Sequence, residues 1–400
     1  MTAVCPLDGV RVLDLTRLLP GAYCTLVLAD LGAEIVKIED PRGGDLMRSL
    51  PPHVGGLSVY HHALNRNKQS VTLDLRGEGA SDVLERLVAV SDVVIESFRP
   101  STARRLKVSA PDLLSRHSRL VHCSLTGFGQ TGPYAERAAH DLDFVALAGL
   151  FEIDPPESAA SRDAVPPTRM PALHVPRLLV ADVGSAWAAA AGVLAALVKR
   201  ERTGRGSAVD IAIHDVAASW LTFPAAAAIV RGTGGAGRLP TSGDTACYNV
   251  YATADGRYLA LAAIERKFWE TFCRRMGHPE FIPLQFLPAE QGRLRAELAV
   301  AFRSRALADW LAMFADADVC LASVNTIDEA LADVHLASRG AVASDGPSRY
   351  VRSPILFGAS ATDRVPIGPA RPLGADTDAV LRSAGLTPSD VSQLRSRGVI

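Results

Sequence analysis

VRVLDLTRLLPGAYCTLVLADLGAEIVKI, residues 10–38, is the stretch that decides the fold. Residues 10–15 are mostly apolar, which is typical of a buried strand, and 34–38 indicate a second strand. Between them, 22–31 predict a helix that follows Pro20-Gly21 and ends before Gly32. Because a helix that joins two strands in this way makes them parallel neighbours, we predict an α/β fold built on a Rossmann-like, doubly wound parallel sheet. The turn after the first strand, TRLLPG, lacks the GxGxxG pattern, which argues against a dinucleotide held in the Rossmann manner.

The same alternation continues over the first half of the chain. Strands are predicted at 70–75, 92–96, 120–125 and 208–213, and helices at 81–90, 102–107, 111–116, 142–151, 178–200 and 215–230. Residues 247–263 then indicate a hairpin about Asp255-Gly256, followed by helices at 268–276, 293–302 and 307–314 and a strand at 320–323. We predict a large α/β domain at 1–212, completed by 335–400 with helices at 376–383 and 390–397. A linker helix and loop at 213–244 and a small α+β domain at 245–334 complete the organisation.

Composition and charge exclude several functional classes. The formal net charge of −1 and the pI near 6.8 give no electrostatic reason to expect a nucleic-acid partner. The six cysteines are scattered without a CxxC pair, which argues against a zinc site and indicates a reducing compartment. We see no signal peptide, and the apolar run at 180–198 contains Asp182, so a buried helix explains it better than a membrane span. We expect a cytoplasmic protein with no metal site.

A glycine-rich loop, GFGQTGP at 127–133, follows a predicted strand and leads to His140-Asp141 before an apolar helical run. A histidine at a loop-to-helix junction is well placed for proton transfer, because the helix N-terminus disfavours the imidazolium. The alternative is a helix-flanking histidine beside an Asp141 cap. A second glycine loop, GTGGAG at 232–237, follows a helix and does not lead into one, so we interpret it as a loop that covers a site. Residues 152–176, rich in Pro, Ser and Asp, indicate an exposed excursion.

Two carboxylates and four basic residues complete the set of candidates. Asp182 lies in an apolar run and Glu265 ends an apolar strand, although each could also cap a helix. Basic residues recur near the ends of the predicted strands of the large domain, where they could hold an elongated anionic ligand: Arg66, Lys68, Arg99 and Arg105. The alternative for these four is solvated surface charge.

Several stretches together resemble the class III CoA-transferase superfamily. They cover most of the chain and weaken after residue 335: 9–41, NRNKQSVTLDL at 65–75, DVVIESFRP at 92–100, LTGFGQTGP at 125–133 and GRGSAVDIAIHD at 204–215. Within the superfamily the chain most resembles the α-methylacyl-CoA racemases, whose catalytic histidine, aspartate and glutamate match His140, Asp182 and Glu265. Ala139 and Leu178 stand where the racemases carry a glycine and an asparagine.

The resemblance implies further expectations about partners. The fold would be an interlocked homodimer, with His140 and Asp182 from one subunit and Glu265 from the other. CoA would be part of the substrate, with no separate cofactor, and its binding residues would include Leu73 and Leu75 beside the four basic residues. We expect the oxygen of an enolate intermediate to be bound by the backbone N–H groups that follow Asp182.

Three functions compete on these observations. A racemase or epimerase would invert the α-carbon of 2-methylacyl-CoA thioesters, with His140 and Asp182 exchanging a proton on opposite faces of a planar enolate. A CoA-transferase would use Asp182 as a covalent nucleophile and leave His140 incidental. A protein that binds CoA thioesters without turning them over is the third hypothesis.

Overall fold

The structure is a computed structural model that describes residues 5–151, 175, 177–231, 240–241, 243–345, 348–357 and 365–400. The excursion at 152–176, except for Val175, and the loop at 232–237 therefore lie outside the described residues. Chain contacts divide the protein into a large unit, Met1–Thr222 with Gly340–Ile400, and a small unit, Phe223–Arg339. The predicted domain boundaries stay a prediction.

A six-stranded parallel sheet forms the centre of the large unit. Its strands are, in chain order, β1 (Arg11–Leu15), β2 (Glu34–Glu39), β5 (Lys68–Thr72), β6 (Val93–Glu96), β7 (Val121–Thr126) and β8 (Ser207–Ala212). They lie side by side in the order β5-β2-β1-β6-β7-β8, and all five pairings are parallel. Two short hairpins accompany the sheet: β3 (His53–Val54) with β4 (Leu57–Ser58), and β12 (Val342–Asp345) with β13 (Ser348–Val351). The predicted parallel α/β sheet is confirmed.

Helices cover both faces of the sheet because successive strand side chains point to opposite sides. Val12 belongs to a core shared with α1 (Leu18–Asp30), α6 (Asp141–Leu147), α7 (Val180–Thr203) and α8 (Ile213–Ser219). Leu13 belongs to the opposite core, which contains α3 (Ala80–Ala89), α4 (Pro100–Arg105), α5 (Ala110–Arg116), α15 (Thr377–Ser383) and α16 (Pro388–Ser396). The remaining helices of this unit are α2 (Val59–Asn65) and a 3₁₀ turn at Leu46–Arg48.

The order of the strands creates a switch point between β1 and β6. From β1 the chain proceeds outward through β2 to β5, and then returns to the other side of β1 through β6, β7 and β8. Helices that leave neighbouring strands in opposite directions open a crevice at the carboxyl ends of those strands, where open α/β sheets bind ligands. The crevice here lies beside Arg17, after β1, and Ser97, after β6. The Arg17 N–H donates to Ser97 Oγ at 3.1 Å, which joins its two walls.

Two predicted helices differ from the observed ones. The helix predicted at 215–230 is two helices, α8 and α9 (Thr222–Arg231), with the break after Ser219. The helix predicted at 142–151 ends at Leu147, with Gly149 at a φ of +79°. Helix α7 is long and apolar enough to cross a membrane by length and composition, but its buried side chains belong to the core around Val12.

The small unit contains a three-stranded antiparallel sheet. Its strands β9 (Tyr248–Ala252), β10 (Tyr258–Ala262) and β11 (Leu321–Ser323) lie in the order β11-β10-β9, and Gly256 turns the predicted hairpin at a φ of +72°. Its core includes Trp269, Phe272 and Phe302. The other helices are α10 (Arg266–Met276), α11 (Gln291–Phe302), α12 (Leu307–Met313), α13 (Ile327–Leu331) and α14 (Val334–Ser338), with 3₁₀ turns at Pro279–Leu284 and Pro288–Glu290.

Candidate active site

A cavity of about 260 Å³ lies at the carboxyl ends of β1, β2 and β5 and against α4; we call it the charged cavity. Its apolar lining includes Leu15, Ile38, Leu73 and Leu75. Its charged lining residues are Arg17, Glu39, Asp40, Arg42, Asp45, Asp74 and Arg76. The apolar floor and charged rim suit a ligand with a flat apolar part and anionic groups.

Most charges of this cavity are already paired. Arg42 lies 2.9 Å from Asp40 and 3.3 Å from Asp74, and its hydrogen bonds lower the pKa of Asp40 to about 2. Burial alone would raise the pKa of Glu39, but two hydrogen bonds from Arg48 at 2.7 Å outweigh it and lower that pKa to about 2. Apart from Arg17 and Arg76, which have no described ion pair, the charged lining residues are therefore held in ion pairs at neutral pH.

A second cavity, of about 300 Å³, opens at the switch point and is lined by both His140 and Asp182; we call it the histidine cavity. Leu125, Thr126 and Gly127 line it at the end of β7, as do Leu18, Pro20, Phe144 and Ile213. Arg17 and Phe98 line both cavities, so the two lie next to each other across the crevice.

His140 is placed by the start of α6. It occupies the N-cap position, with an extended backbone at a φ of −126°, and its N–H donates to the Asp143 carboxylate at 2.9 Å. Asp141 is the first helical residue, so the predicted Asp141 cap is wrong by one position. The imidazole is exposed at the mouth of the cavity. Helix capping therefore fixes the backbone of His140, and its exposed side chain lines the cavity.

Asp182 lies in the first turn of α7 and lines the same cavity. Burial, and then the neighbouring charge of Asp141, raise its pKa from 3.8 to about 7. A helix N-terminus favours a carboxylate, but here desolvation is the larger effect. The Asp182 N–H donates to Asp141 Oδ1 at 2.9 Å, so the buried Asp141 joins the start of α6 to the start of α7. A carboxyl group with this pKa can both accept and donate a proton near neutral pH.

The backbone donors expected for an enolate oxygen are occupied. The N–H of Asp182 is bound to Asp141, and the N–H of Val183 donates to the Leu179 carbonyl at 3.0 Å within the helix. The expectation that N–H groups after Asp182 bind the enolate oxygen is therefore wrong for Val183. Any charge stabilisation in the cavity must come from other donors.

Glu265 belongs to the small unit, at the N-cap of α10. Its side chain is exposed and makes no hydrogen bond to the helix that it precedes, which argues against the simple capping interpretation. Gln285 is buried and holds the preceding backbone, because its Nε2 donates to the carbonyls of Ala263 at 3.1 Å and Ile264 at 2.7 Å. The carboxylate is thus placed on a fixed backbone and left for another partner.

The six residues predicted to bind CoA separate into three pairs. Leu73 and Leu75 line the charged cavity. Arg66 and Lys68 are buried and line neither cavity: Arg66 pairs with Asp30 at 2.6 Å, and Lys68 Nζ donates to the Ala22 carbonyl at 2.8 Å. This placement speaks against a ligand role for both.

Arg99 and Arg105 are exposed at the two ends of α4. The same helix turns Thr102 and Leu106 toward the charged cavity, whereas neither arginine is among its lining residues. They lie beside the ligand position rather than in it.

Sequence reasoning missed three arginines that do line the charged cavity: Arg17, Arg42 and Arg76. Each follows the carboxyl end of a strand, β1, β2 or β5. The rule that singled out Arg99 after β6 would have found all three had it been applied to every strand.

Comparison with known proteins identifies the family. The sequence pattern described as CoA-transferase family III matches residues 7–377. The chain belongs to this family. The resemblance stated above is thereby confirmed.

Two relatives and one solved structure show how broad the family is. Alpha-methylacyl-CoA racemase of Mus musculus is 31% identical over 405 residues, which is 98% of this chain and 97% of that protein. Succinyl-CoA:glutarate CoA-transferase of Mus musculus is 30% identical over 347 residues, 84% of this chain and 76% of that protein. A CAIB/BAIF family protein from Brucella suis has the same fold, with a TM-score of 0.80, 28% identity and coverage of 95% and 99% of the two chains. The family is enzymatic and contains both racemases and CoA-transferases.

Proposed function

We propose that the chain is a racemase or epimerase that inverts the α-carbon of 2-methylacyl-CoA thioesters. One observation carries the proposal: His140 and Asp182 line a single cavity, and the pKa of Asp182 is raised to about 7. Inversion needs a base on one face of the α-carbon and an acid on the other, each able to change role with the hand of the substrate. A carboxyl group that titrates near neutral pH, in the same cavity as an imidazole, supports this assignment.

The reaction is a proton exchange with no net change in composition. One group removes the α-proton, the C–H electron pair becomes the C=C bond of an enolate, and the carbonyl π pair moves to oxygen. The conjugate acid of the other group then protonates the α-carbon from the opposite face, and the carbonyl re-forms. His140 and Asp182 end with their protonation states exchanged, and solvent restores them.

The two cavities suggest how the substrate lies. The charged cavity, with its leucines and arginines, suits the nucleotide part of CoA, and the histidine cavity suits the thioester. The pantetheine arm would pass Arg17 and Phe98, which line both. CoA enters and leaves as part of the substrate.

We also propose that the active enzyme is a homodimer in which Glu265 comes from the partner subunit and orients His140. The exposed, uncapped carboxylate of Glu265 supports an external partner. Mixing Glu265→Gln chains with His140→Ala chains tests this, since a heterodimer would contain one intact site. Activity that does not return in the mixture contradicts a shared site.

The central experiment is NMR of a 2-methylacyl-CoA incubated with the protein in D₂O without an acceptor acid. We expect loss of the α-proton signal together with inversion, and a fall of about 10²–10⁴-fold in both His140→Ala and Asp182→Asn. The matched controls are His335→Ala and Asp309→Asn, since both residues are exposed and Asp309 also lies in the first turn of a helix. Both should retain wild-type rates.

The CoA-transferase remains the second candidate because a CoA-transferase is among the relatives. In that reaction the ionised Asp182 attacks the thioester carbonyl, the C–S bond breaks and CoA leaves as the thiolate. The acyl group is then held as a mixed anhydride with Asp182, which hydroxylamine or borohydride traps. An intact α-proton with CoA moving to an added carboxylic acid would exclude the racemase and favour this candidate.

A further inference from the structure

Arg17 lies at the junction of the two cavities and lines both. Within the described residues its guanidinium has no hydrogen-bond or ion-pair partner, and its charge acts on Asp40 only as the smallest of the causes that lower the pKa of that carboxyl group. Arg42 and Arg48, by contrast, are paired with carboxylates. An arginine left unpaired at the boundary of a substrate cavity and a charged one is available to a ligand.

The backbone around Arg17 is fixed by hydrogen bonds to side chains. Three consecutive N–H groups donate to side chains: Thr16 to Asp14 Oδ1 at 2.9 Å, Arg17 to Ser97 Oγ at 3.1 Å, and Leu18 to Asp45 Oδ2 at 3.2 Å. Asp14 and Asp45 are buried, and both lie near the buried Lys37 ammonium, at 3.8 and 3.2 Å. The turn is therefore anchored in a buried charged network.

The residue after Arg17 carries backbone strain. Leu18 adopts a φ of +63°, a left-handed conformation that is an outlier for a bulky side chain. Such strain persists where the surroundings over-determine the backbone, and it clusters at functional sites. Gly21 adds to the constraint, because a Cβ there would lie 2.1 Å from Thr16 Cβ. The chain thus holds the backbone of Arg17 in one place at an energetic cost, while its side chain is exposed to a ligand.

The reaction needs a donor at this place. An enolate carries its negative charge on the thioester oxygen, and the N–H groups of Asp182 and Val183 are already bonded. Among the described side chains that line the histidine cavity, Ser97 and Thr126 offer neutral hydroxyls, and Arg17 offers a permanent positive charge. A charged donor stabilises a developing anion more strongly than a neutral one.

We infer that Arg17 is a further catalytic residue, whose guanidinium donates a hydrogen bond to the thioester oxygen and stabilises the enolate. The inference rests on the proposed racemase function. As the base removes the α-proton and the carbonyl π pair moves to oxygen, the guanidinium keeps its protons and strengthens an existing hydrogen bond. The hydrogen bond weakens again when the α-carbon is reprotonated and the carbonyl re-forms.

The test measures α-proton exchange in D₂O and CoA binding for wild type, Arg17→Met and Arg17→Lys. We expect Arg17→Met to lower kcat for exchange by about 10²-fold, as removal of one oxyanion donor does in other enzymes, with the Kd for free CoA changed less than about threefold. Arg17→Lys should restore part of kcat, because an ammonium supplies the charge without the planar fork. Arg202→Met, an exposed arginine in the last turn of α7, is the matched control.

The outcomes separate this inference from the function on which it rests. If wild type exchanges the α-proton and Arg17→Met exchanges it at the same rate, Arg17 is not catalytic and the racemase proposal stands. If Arg17→Met weakens CoA binding in proportion to its loss of kcat/KM with kcat unchanged, Arg17 is a CoA-binding residue and the inference is wrong. If wild type shows no exchange, the proposed function fails and the inference fails with it.

Discussion

The two cavities at the switch point differ in how their charges are balanced. In the charged cavity, Arg42 is paired with Asp40 and Asp74, and Glu39 with Arg48. These pairs lower the pKa of Glu39 and of Asp40 to about 2. In the histidine cavity, no described ion pair involves Arg17, His140 or Asp182, and the pKa of Asp182 is raised to about 7.

This difference separates binding from chemistry. Paired carboxylates with low pKa values keep their charge over the working pH range, so they present a constant surface to a ligand. An unpaired, desolvated carboxyl group changes charge within that range, which proton transfer requires and rigid binding does not. Since Arg17 and Phe98 line both cavities, one elongated substrate can use the two properties at once.

Glu39→Gln removes one ion pair of the charged cavity, the pair between Glu39 and Arg48. Its side chain is nearly inaccessible and binds Arg48 through both carboxylate oxygens, so the variant leaves a partly buried guanidinium uncompensated. We expect a loss of about 3 kcal/mol in the free energy of unfolding at neutral pH, measured by urea denaturation.

The pH dependence of that loss follows from the lowered pKa. The stabilisation by Glu39 is fully present above pH 4.5 and is lost as the pH falls toward 2, so the gap between wild type and variant should narrow below pH 4.5. Asp309→Asn, at an exposed residue without a described ion pair, is the control and should unfold like wild type. A Glu39→Gln protein as stable as wild type would mean that the Glu39–Arg48 pair makes no net contribution to the free energy of unfolding.

The fold could be predicted from the sequence because its signals are local. The apolar strands of 10–38 and the Gly32 turn between helix and strand define a βαβ unit, and four further predicted strands continue the alternation. Two errors came from apolar runs without a visible end: α6 stops at Leu147, and α8 separates from α9 after Ser219. Periodicity does not mark a break inside a run that is apolar on every side.

The site was harder to predict because it depends on side chains distant in sequence. His140 and Asp182 were found, but Arg17 was not, since its importance depends on Ser97 and Asp45, which the fold brings to the same turn. Arg66 and Lys68 carried the right charge in the right region, yet their burial depends on Asp30 and Ala22, which only the folded chain places beside them. Charge is visible in a sequence, whereas exposure is a tertiary property.

Asp182→Asn removes the unpaired carboxyl group of the histidine cavity. The native carboxyl group has a pKa of about 7 against 3.8 in the unfolded chain, so the native state holds a proton that the unfolded state releases between these values. Stability therefore falls as the pH rises from about 4 to 7, and an amide escapes this cost. We expect Asp182→Asn to be more stable than wild type by about 1–2 kcal/mol at pH 8, and equal to it near pH 4, because partial solvation reduces the full linkage energy.

Urea denaturation at the two pH values measures this difference, with Asp309→Asn as the control in an exposed first turn. The variant should be inactive and more stable, which is the usual trade between stability and function at an active site. A variant less stable than wild type at pH 8 would mean that the anion of Asp182 has a stabilising partner, and the contrast between the cavities would disappear.

Arg42→Met tests whether a paired arginine contributes only binding. Its side chain is 69% exposed and its guanidinium is already bound to Asp40 and Asp74, so a CoA phosphate must compete with two carboxylates for it. We expect the Kd for CoA to rise by only about three- to tenfold, and less at high salt because exposed charges are screened. The kcat for α-proton exchange should not change, since Arg42 lines the charged cavity alone.

Calorimetry at two salt concentrations measures the affinity, with Arg116→Met, another exposed and paired arginine, as the control. A fall in kcat would show that the charged cavity takes part in the chemistry, and the division of labour between the two cavities would then be wrong.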